Sequence, residues 1–226
     1  MAKKTATRKM QDKRHAAQAG EELNSAEAKV GNFLHNFVRP NWPVLVAMVL
    51  IAIVAVLVIL EWQQREKQQL AGAFAEVKTA KTISALRKLA DKYGTQAPGE
   101  LAAFLVARRL YEDAQYVEAA NAFEQFVENF PNSKLKVDAY FGWAYSLENN
   151  NLLADAQTIY LKISEMARAA AEGKAEAFCG AARTAYALDK QEKARQYYEA
   201  AMSAVDQGYY KEQAQEMLKR MDRDTG

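Results

Sequence analysis

Histidine is almost missing from this chain. His15 and His35 are its two occurrences, and none follows residue 35. Histidine is the commonest general base and a frequent metal ligand, so the long C-terminal part has no imidazole for either task. Cysteine occurs once, as Cys179. That excludes an internal disulfide framework and a cysteine-based zinc site. Between Phe178 and Gly180 it reads as a small apolar residue of a packed interior, with an intermolecular disulfide or redox role as the alternative. Proline is scarce at four and glycine modest at ten. There is no glycine-rich phosphate loop, no nucleophile elbow and no set of paired acids in a recognisable frame. No stretch alternates with period two for long enough to read as a strand. The absences point away from an enzyme, and no cofactor, metal, small-molecule substrate or nucleic acid is expected.

What is present is helix-forming: Ala, Glu, Lys and Gln dominate outside one segment. That segment is residues 41 to 62, NWPVLVAMVLIAIVAVLVILEW. From Val44 to Leu60 there are seventeen residues without a charge or a polar side chain, and thirteen are Val, Leu or Ile. Counted from Asn41, the uncharged stretch is twenty residues. At ~1.5 Å per residue, such a helix is about 30 Å long, the thickness of a bilayer's hydrocarbon core. Each central Val, Leu or Ile favours insertion by roughly 0.3 to 0.6 kcal/mol. A core helix of a soluble protein usually keeps one polar stripe, and this run has none. Trp42 and Trp62 bracket it where an aromatic belt would sit. A transmembrane helix over 41–62 is the expectation.

The small net charge of +2 hides an asymmetry. Residues 1–40 carry eight Lys or Arg against four acids, whereas residues 61–226 carry twenty-two against twenty-four. In the twenty residues after the run, Arg65, Lys67 and Lys78 are the basic groups. The positive-inside rule then predicts a cytoplasmic N-terminus and a C-terminal domain on the other side, the periplasm in a Gram-negative cell. A cleaved signal peptide would have a shorter basic start, an apolar run of ~7 to 15 residues and a small-residue cleavage site directly after it. Here Glu61-Trp62-Gln63 follows instead, so an uncleaved anchor is expected.

Three stretches flank the run. Residues 1–20 are polar and basic and read as a tail, either a topology signal or a contact for anionic lipid. Residues 21–38 read as an amphipathic helix, with Asn24 or Ser25 as cap and Glu27 in the first turn. Val30, Phe33, Leu34, Phe37 and Val38 fall on one face, suited to the inner-leaflet interface or to a partner's membrane helices. Pro40 and Pro43 then break the chain and start the span. Beyond Trp62 no flexible linker appears, and a stripe of Leu70, Ala73, Phe74, Val77 and Ala80 suggests that the helix continues. The domain reading is a cytoplasmic tail over 1–40, the span over 41–62 and a periplasmic domain over 63–226.

From residue 82 onward, helices are predicted at 82–93, 99–113, 116–129, 134–148, 152–170, 174–187, 191–206 and 209–222. Gly94, Pro98, Pro131-Asn132, Asn149–Asn151 and Gly173 separate them. A period runs through them. Ala119-x3-Phe123, Ala156-x3-Tyr160 and Ala194-x3-Tyr198 repeat the second-helix signature of tetratricopeptide repeats, and Pro131 sits eight residues after Phe123. Phe141-Gly142-x2-Tyr145 matches the first-helix signature, with Val106-Ala107-x2-Leu110 and Ala181-Ala182-x2-Ala185 as degenerate versions. Small residues (Ala107, Gly142, Ala182 against Ala119, Ala156, Ala194) would let the helices of a pair approach. The aromatics would fill the groove to the next pair. The spacings of 37 and 38 residues exceed the usual 34, which the Asn149–Asn151 turn and a long 152–170 helix would explain. The expected fold is all-α: one transmembrane helix followed by a tetratricopeptide-like solenoid of helix pairs, closed by Tyr209 to Met221.

A basic start, one span, a helix leading out of it and a short helix-pair array together resemble the YfgM-like ancillary subunits of the SecYEG translocon. The resemblance covers roughly residues 25–222, and its local features are Val30/Phe33/Leu34 and the run ALRKLADKYGTQAPGELAAFLVARRLYE. The run FPNSKLKVDAYFGWAYS is also similar to the tetratricopeptide domain of cell-division coordinator proteins. The first resemblance implies an accessory of the translocon that contacts translocon subunits, periplasmic chaperones or unfolded client chains. The second implies a coordinator of envelope or division machinery. A self-assembling scaffold without clients is a third reading. Such arrays bind partners on a concave face lined by first helices, and the sequence register proposes Arg108, Tyr111, Trp143, Arg183 and Tyr186 there. Trp143 and Tyr186 could instead pack between pairs.

Overall fold

The computed structural model describes Ser25, residues 28–32, His35, residues 39–166 and residues 169–224. Its elements are helices, with no strand among the described residues. The first, α1, runs from Arg39 to Thr79. The others are α2 (Ile83–Tyr93), α3 (Ala97–Glu112), α4 (Tyr116–Asn129), α5 (Lys136–Asn149), α6 (Leu153–Glu165), α7 (Ala171–Ala187), α8 (Gln191–Ala204) and α9 (Tyr209–Asp224). The chain divides into two units at Gln68/Gln69, a boundary that falls inside α1. Residues 63–79 are therefore helical, as the stripe from Leu70 suggests. Pro43 lies within the helix rather than before it; its missing N–H removes one bond at the edge of the first turn.

In the first unit, α1 is apolar on every side. Ile51, Leu57 and Val58 are each more than half exposed, and no residue of the apolar window is buried. One helix among the described residues, beginning at Trp42, is thus long and apolar enough to cross a membrane. Glu61 and Arg65 form an exposed ion pair one turn apart just past it, at 3.1 Å. Of the juxtamembrane stripe, Val30 is helical and exposed, while Phe33, Leu34 and Phe37 lie outside the described residues. So do the tail over 1–20 and Val38.

The second unit repeats one local device three times. At Ala114, Asn151 and Asp189 the backbone turns left-handed, with φ of 57°, 60° and 57°. Each ends one helix and starts the next. The N–H groups of Gln115, Leu152 and Lys190 donate to the carbonyls of Leu110, Leu147 and Ala185, each at 2.9 Å. Those bonds reach five residues back, and the N–H of each left-handed residue donates three back, to Tyr111, Glu148 and Tyr186. Together they close the Schellman motif that satisfies the last carbonyls of a helix. Five residues after each left-handed residue comes the next helix's alanine: the N–H groups of Ala119, Ala156 and Ala194 donate to the carbonyls of Gln115, Leu152 and Lys190. The turns lie 37 and 38 residues apart, as the alanines do.

Measured from these turns, the register of the first helices differs from the one read in the sequence. Ala107, Ala144 and Ala182 stand seven residues before Ala114, Asn151 and Asp189, and all three have no exposed surface. Gly142 therefore aligns with Gly180, not with Ala107 and Ala182. The reason lies in the aromatics. A Cβ on Gly142 would meet the Phe123 ring at 2.3 Å, and one on Gly180 would meet the Tyr160 ring at 2.6 Å. Each second helix lays its ring on the next pair's first helix, and only glycine leaves that ring its place. Leu86 holds the same register position in α2, 37 residues before Phe123, and is buried beside Val77, Ala102 and Val106. The array thus begins one helix earlier than the aromatic signature reveals. Ala102, Ala139, Ala177 and Ala214 form a further period and all are fully buried.

The long helix expected over 152–170 ends at Glu165. Met166 is extended (ψ 125°), Ala169 is buried, and α7 begins at Ala171. Nothing in MARAAAE, before Gly173, breaks a helix by propensity; packing of Ala169 into the core overrides it. The period from Ala114 to Asn151 is already 37 residues without this connection, so a longer helix at 152–170 does not explain the spacing.

Candidate functional site

The first helices of three successive pairs, α3, α5 and α7, present equivalent positions on one face. Phe104 aligns with Phe141, Arg108 with Tyr145 and Arg183, and Tyr111 with Glu148 and Tyr186. Between α3 and α5 this face forms an open groove of about 920 Å³. Phe104, Phe123 and Phe141 give it an apolar floor; Arg108, Tyr111, Tyr145 and Glu176 border it, with residues 132–134 of the connection into α5. Phe104 meets Phe123 and Phe126 edge-on at 5.9 and 5.6 Å, which fixes the floor.

The polar groups along this face are tied to one another. The Asn149 Nδ2 amide donates to the Tyr111 hydroxyl at 3.1 Å. The Tyr145 hydroxyl donates to Glu176 Oε1. One pair further on, Arg183 grips Glu148 with two bonds, Nε to Oε1 at 2.6 Å and Nη2 to Oε2 at 2.8 Å. The Tyr160 hydroxyl, inside the core, donates to the same Oε2 at 2.7 Å. Burial and then the Glu148 carboxylate push the Tyr160 hydroxyl far above the ordinary tyrosine range. Burial and Glu176 do the same for Tyr145, and Glu148 raises Arg183. These groups stay un-ionised tyrosine and charged guanidinium under ordinary conditions. They brace α5, α6 and α7 together. Cys179 is buried, donates its thiol to the Tyr210 carbonyl at 3.5 Å, and is pushed up to about 11 by burial. No group of three or more His, Cys, Asp or Glu among the described residues could hold a metal ion.

Of the residues proposed from the sequence, Arg108 and Tyr111 line the groove. Arg183 and Tyr186 share their register two pairs along, on α7; Arg183 is engaged by Glu148, and Tyr186 packs beside the C-terminal cluster. Trp143 stands apart. It is two residues from Tyr145, about 200° around the helix, and stacks on Tyr140 at 5.9 Å while Lys162 covers that ring at 5.0 Å. Phe104, Phe141, Tyr145 and Glu176 were missed. Adding 37 to Phe104 or Arg108 finds Phe141 or Tyr145, so the turn-based period carries that signal. Trp42 and Trp62, the expected belt, are both exposed on α1.

No protein-family model matches the chain, and neither does any curated protein. The reading of its function therefore rests on the geometry above and on the resemblances of its sequence.

Proposed function

We propose that the protein is a membrane-anchored scaffold that binds other proteins through its helix-pair array. The observation that carries the reading is the aromatic groove on the first-helix face, in a chain that also holds a helix long and apolar enough to cross a membrane. On this reading the N-terminus lies in the cytoplasm and the array in the periplasm, which the excess of basic residues before the span supports. The mechanism is tethering. Anchoring the array beside a membrane complex raises its effective concentration for nearby chains, without any new contact. The tetratricopeptide-like pairing, the juxtamembrane Val30 and the 85–112 run favour an accessory of the Sec translocon, with translocon subunits, periplasmic chaperones or secreted chains as partners.

The 130–146 run favours a second reading, a coordinator of envelope or cell-division machinery on the same topology. Affinity purification of the full-length protein in mild detergent, with crosslinking mass spectrometry, separates the two. Recovery of translocon subunits with crosslinks to residues of the groove supports the first. Recovery of division or cell-wall proteins without translocon subunits replaces it with the second. Crosslinks that avoid the groove altogether remove the proposed binding face.

A further inference from the structure

The groove is not chemically symmetric. Its Arg108 is already paired with Glu112 at 3.1 Å. At the opposite end, Asp138 and Glu176 line it without an ion-pair partner among the described residues. Glu176 is half-buried and accepts from the hydroxyls of Tyr145 and Tyr210, neutral donors that leave its charge uncompensated. A carboxylate offers about four lone-pair sites, so it has room for further donors after two such bonds. Lys134, on the connection before α5, borders the groove and balances one of the two acids, so this end keeps a net negative charge. Beside the acids lie two ring faces, Phe141 and Tyr145, stacked at 6.1 Å. Ala170 and Gly173 leave space above them; a Cβ on Gly173 would come no closer than 3.9 Å to the Phe141 ring. Ring faces beside a carboxylate attract cations, since both present negative potential to the same point.

Resting on the scaffold reading above, we infer that the α5–α7 end of the groove takes a lysine or arginine side chain. The occupant is an extended segment of a partner polypeptide that sets an apolar or aromatic side chain on Phe104 and Phe141 and a basic one against Glu176 and Asp138. Charge complementarity selects it: an acidic segment would meet two uncompensated carboxylates, and Arg108 is already committed to Glu112.

The test uses the full-length protein in lipid nanodiscs and fluorescence anisotropy of labelled peptides. The reference peptide carries one Phe and one Arg in a Ser/Gly frame; its variants replace Arg by Glu, or Phe by Ser. The Arg peptide is expected to bind about tenfold more tightly than the Glu peptide, the worth of one charge-assisted hydrogen bond. Glu176→Gln keeps the acceptor for Tyr145, and with Asp138→Asn it should shrink that preference to about twofold or less. Gly173→Leu, in the first turn of α7, suits a helix and fills the groove; it should weaken all peptides alike. Equal or tighter binding of the Glu peptide, or a preference untouched by Glu176→Gln/Asp138→Asn, overturns the basic-residue selectivity. If Gly173→Leu then still abolishes binding, the groove itself stands. If the peptides bind Gly173→Leu as tightly as the unaltered protein, the groove falls with the inference.

Discussion

Two stretches of this chain dispose of their apolar residues in opposite ways. Between Trp42 and Trp62, α1 exposes its Val, Leu and Ile all round, with Ile51 at 69%. In the array, Phe126 and Tyr160 are at 2% and 0%, and the contacts are made by alanines and rings in a fixed period. An all-round apolar surface has no preferred direction, so it specifies an environment and not a neighbour. A stripe of small and aromatic residues specifies a neighbour at one rotation and one height. The first kind tolerates almost any apolar exchange and fails on charge. The second tolerates surface charge and fails on a single methyl group.

The largest expected effect breaks the first region. Val54→Asp with Leu57→Asp places two charges at the middle of the run. Each costs about 2.5–3.5 kcal/mol at a bilayer centre, enough to offset most of the apolar gain. The membrane-bound fraction after carbonate extraction should collapse, while the array's urea midpoint should stay where it was. A single methyl then breaks the second region. Gly142→Ala or Gly180→Ala must displace the Phe123 or Tyr160 ring and should destabilise the array by about 1–3 kcal/mol in urea unfolding. The same exchange at Gly72, with open space around it, should cost nothing and gain a little helix propensity.

Titration sharpens the contrast further. No ionisable side chain lies between Val44 and Leu60. The array holds Tyr198 and Tyr210 pushed up to about 12, by burial foremost, with Tyr145 and Tyr160 higher still. Unfolded tyrosine titrates near ~10. A folded value above the unfolded one means stability fully present below about pH 10 and lost as pH rises toward 12 and beyond. The urea midpoint should therefore hold from pH 7 to 9 and fall between pH 10 and 12, with the tyrosinate absorbance of these four side chains appearing as the array unfolds.

The smallest effect lies in the turns. Alanine pays for the left-handed conformation that glycine adopts freely, so Ala114→Gly should stabilise the array by about 0.5–1 kcal/mol. Asparagine visits that region more readily, so Asn151→Gly should change the midpoint by less.

The legible parts of this molecule are those where a local rule and the packing agree. The run of α1 declares itself because nothing polar interrupts it. Phe123, Tyr160 and Tyr198 declare three second helices because a ring there has one place to go. Leu86 fills the same place in α2 unseen, since a leucine carries no distinctive signature there. The first-helix register slipped by two at Gly142, because small residues occur at several positions per turn and only the ring above Gly142 tells which one matters. The same slip sent Trp143 to the groove in place of Tyr145. The end of α6 at Glu165 was illegible for a different reason: MARAAAE favours helix up to Gly173, and the break comes from Ala169 being drawn into a core that the sequence does not display.

The most direct test of the tethered-groove account is photo-crosslinking in cells, with a photoreactive residue at Tyr111 in the groove and, separately, at Glu199, exposed on α8. The account predicts discrete protein adducts from Tyr111, lost on Gly173→Leu, and none from Glu199. Adducts of the same pattern from both positions, or from Glu199 alone, would contradict it.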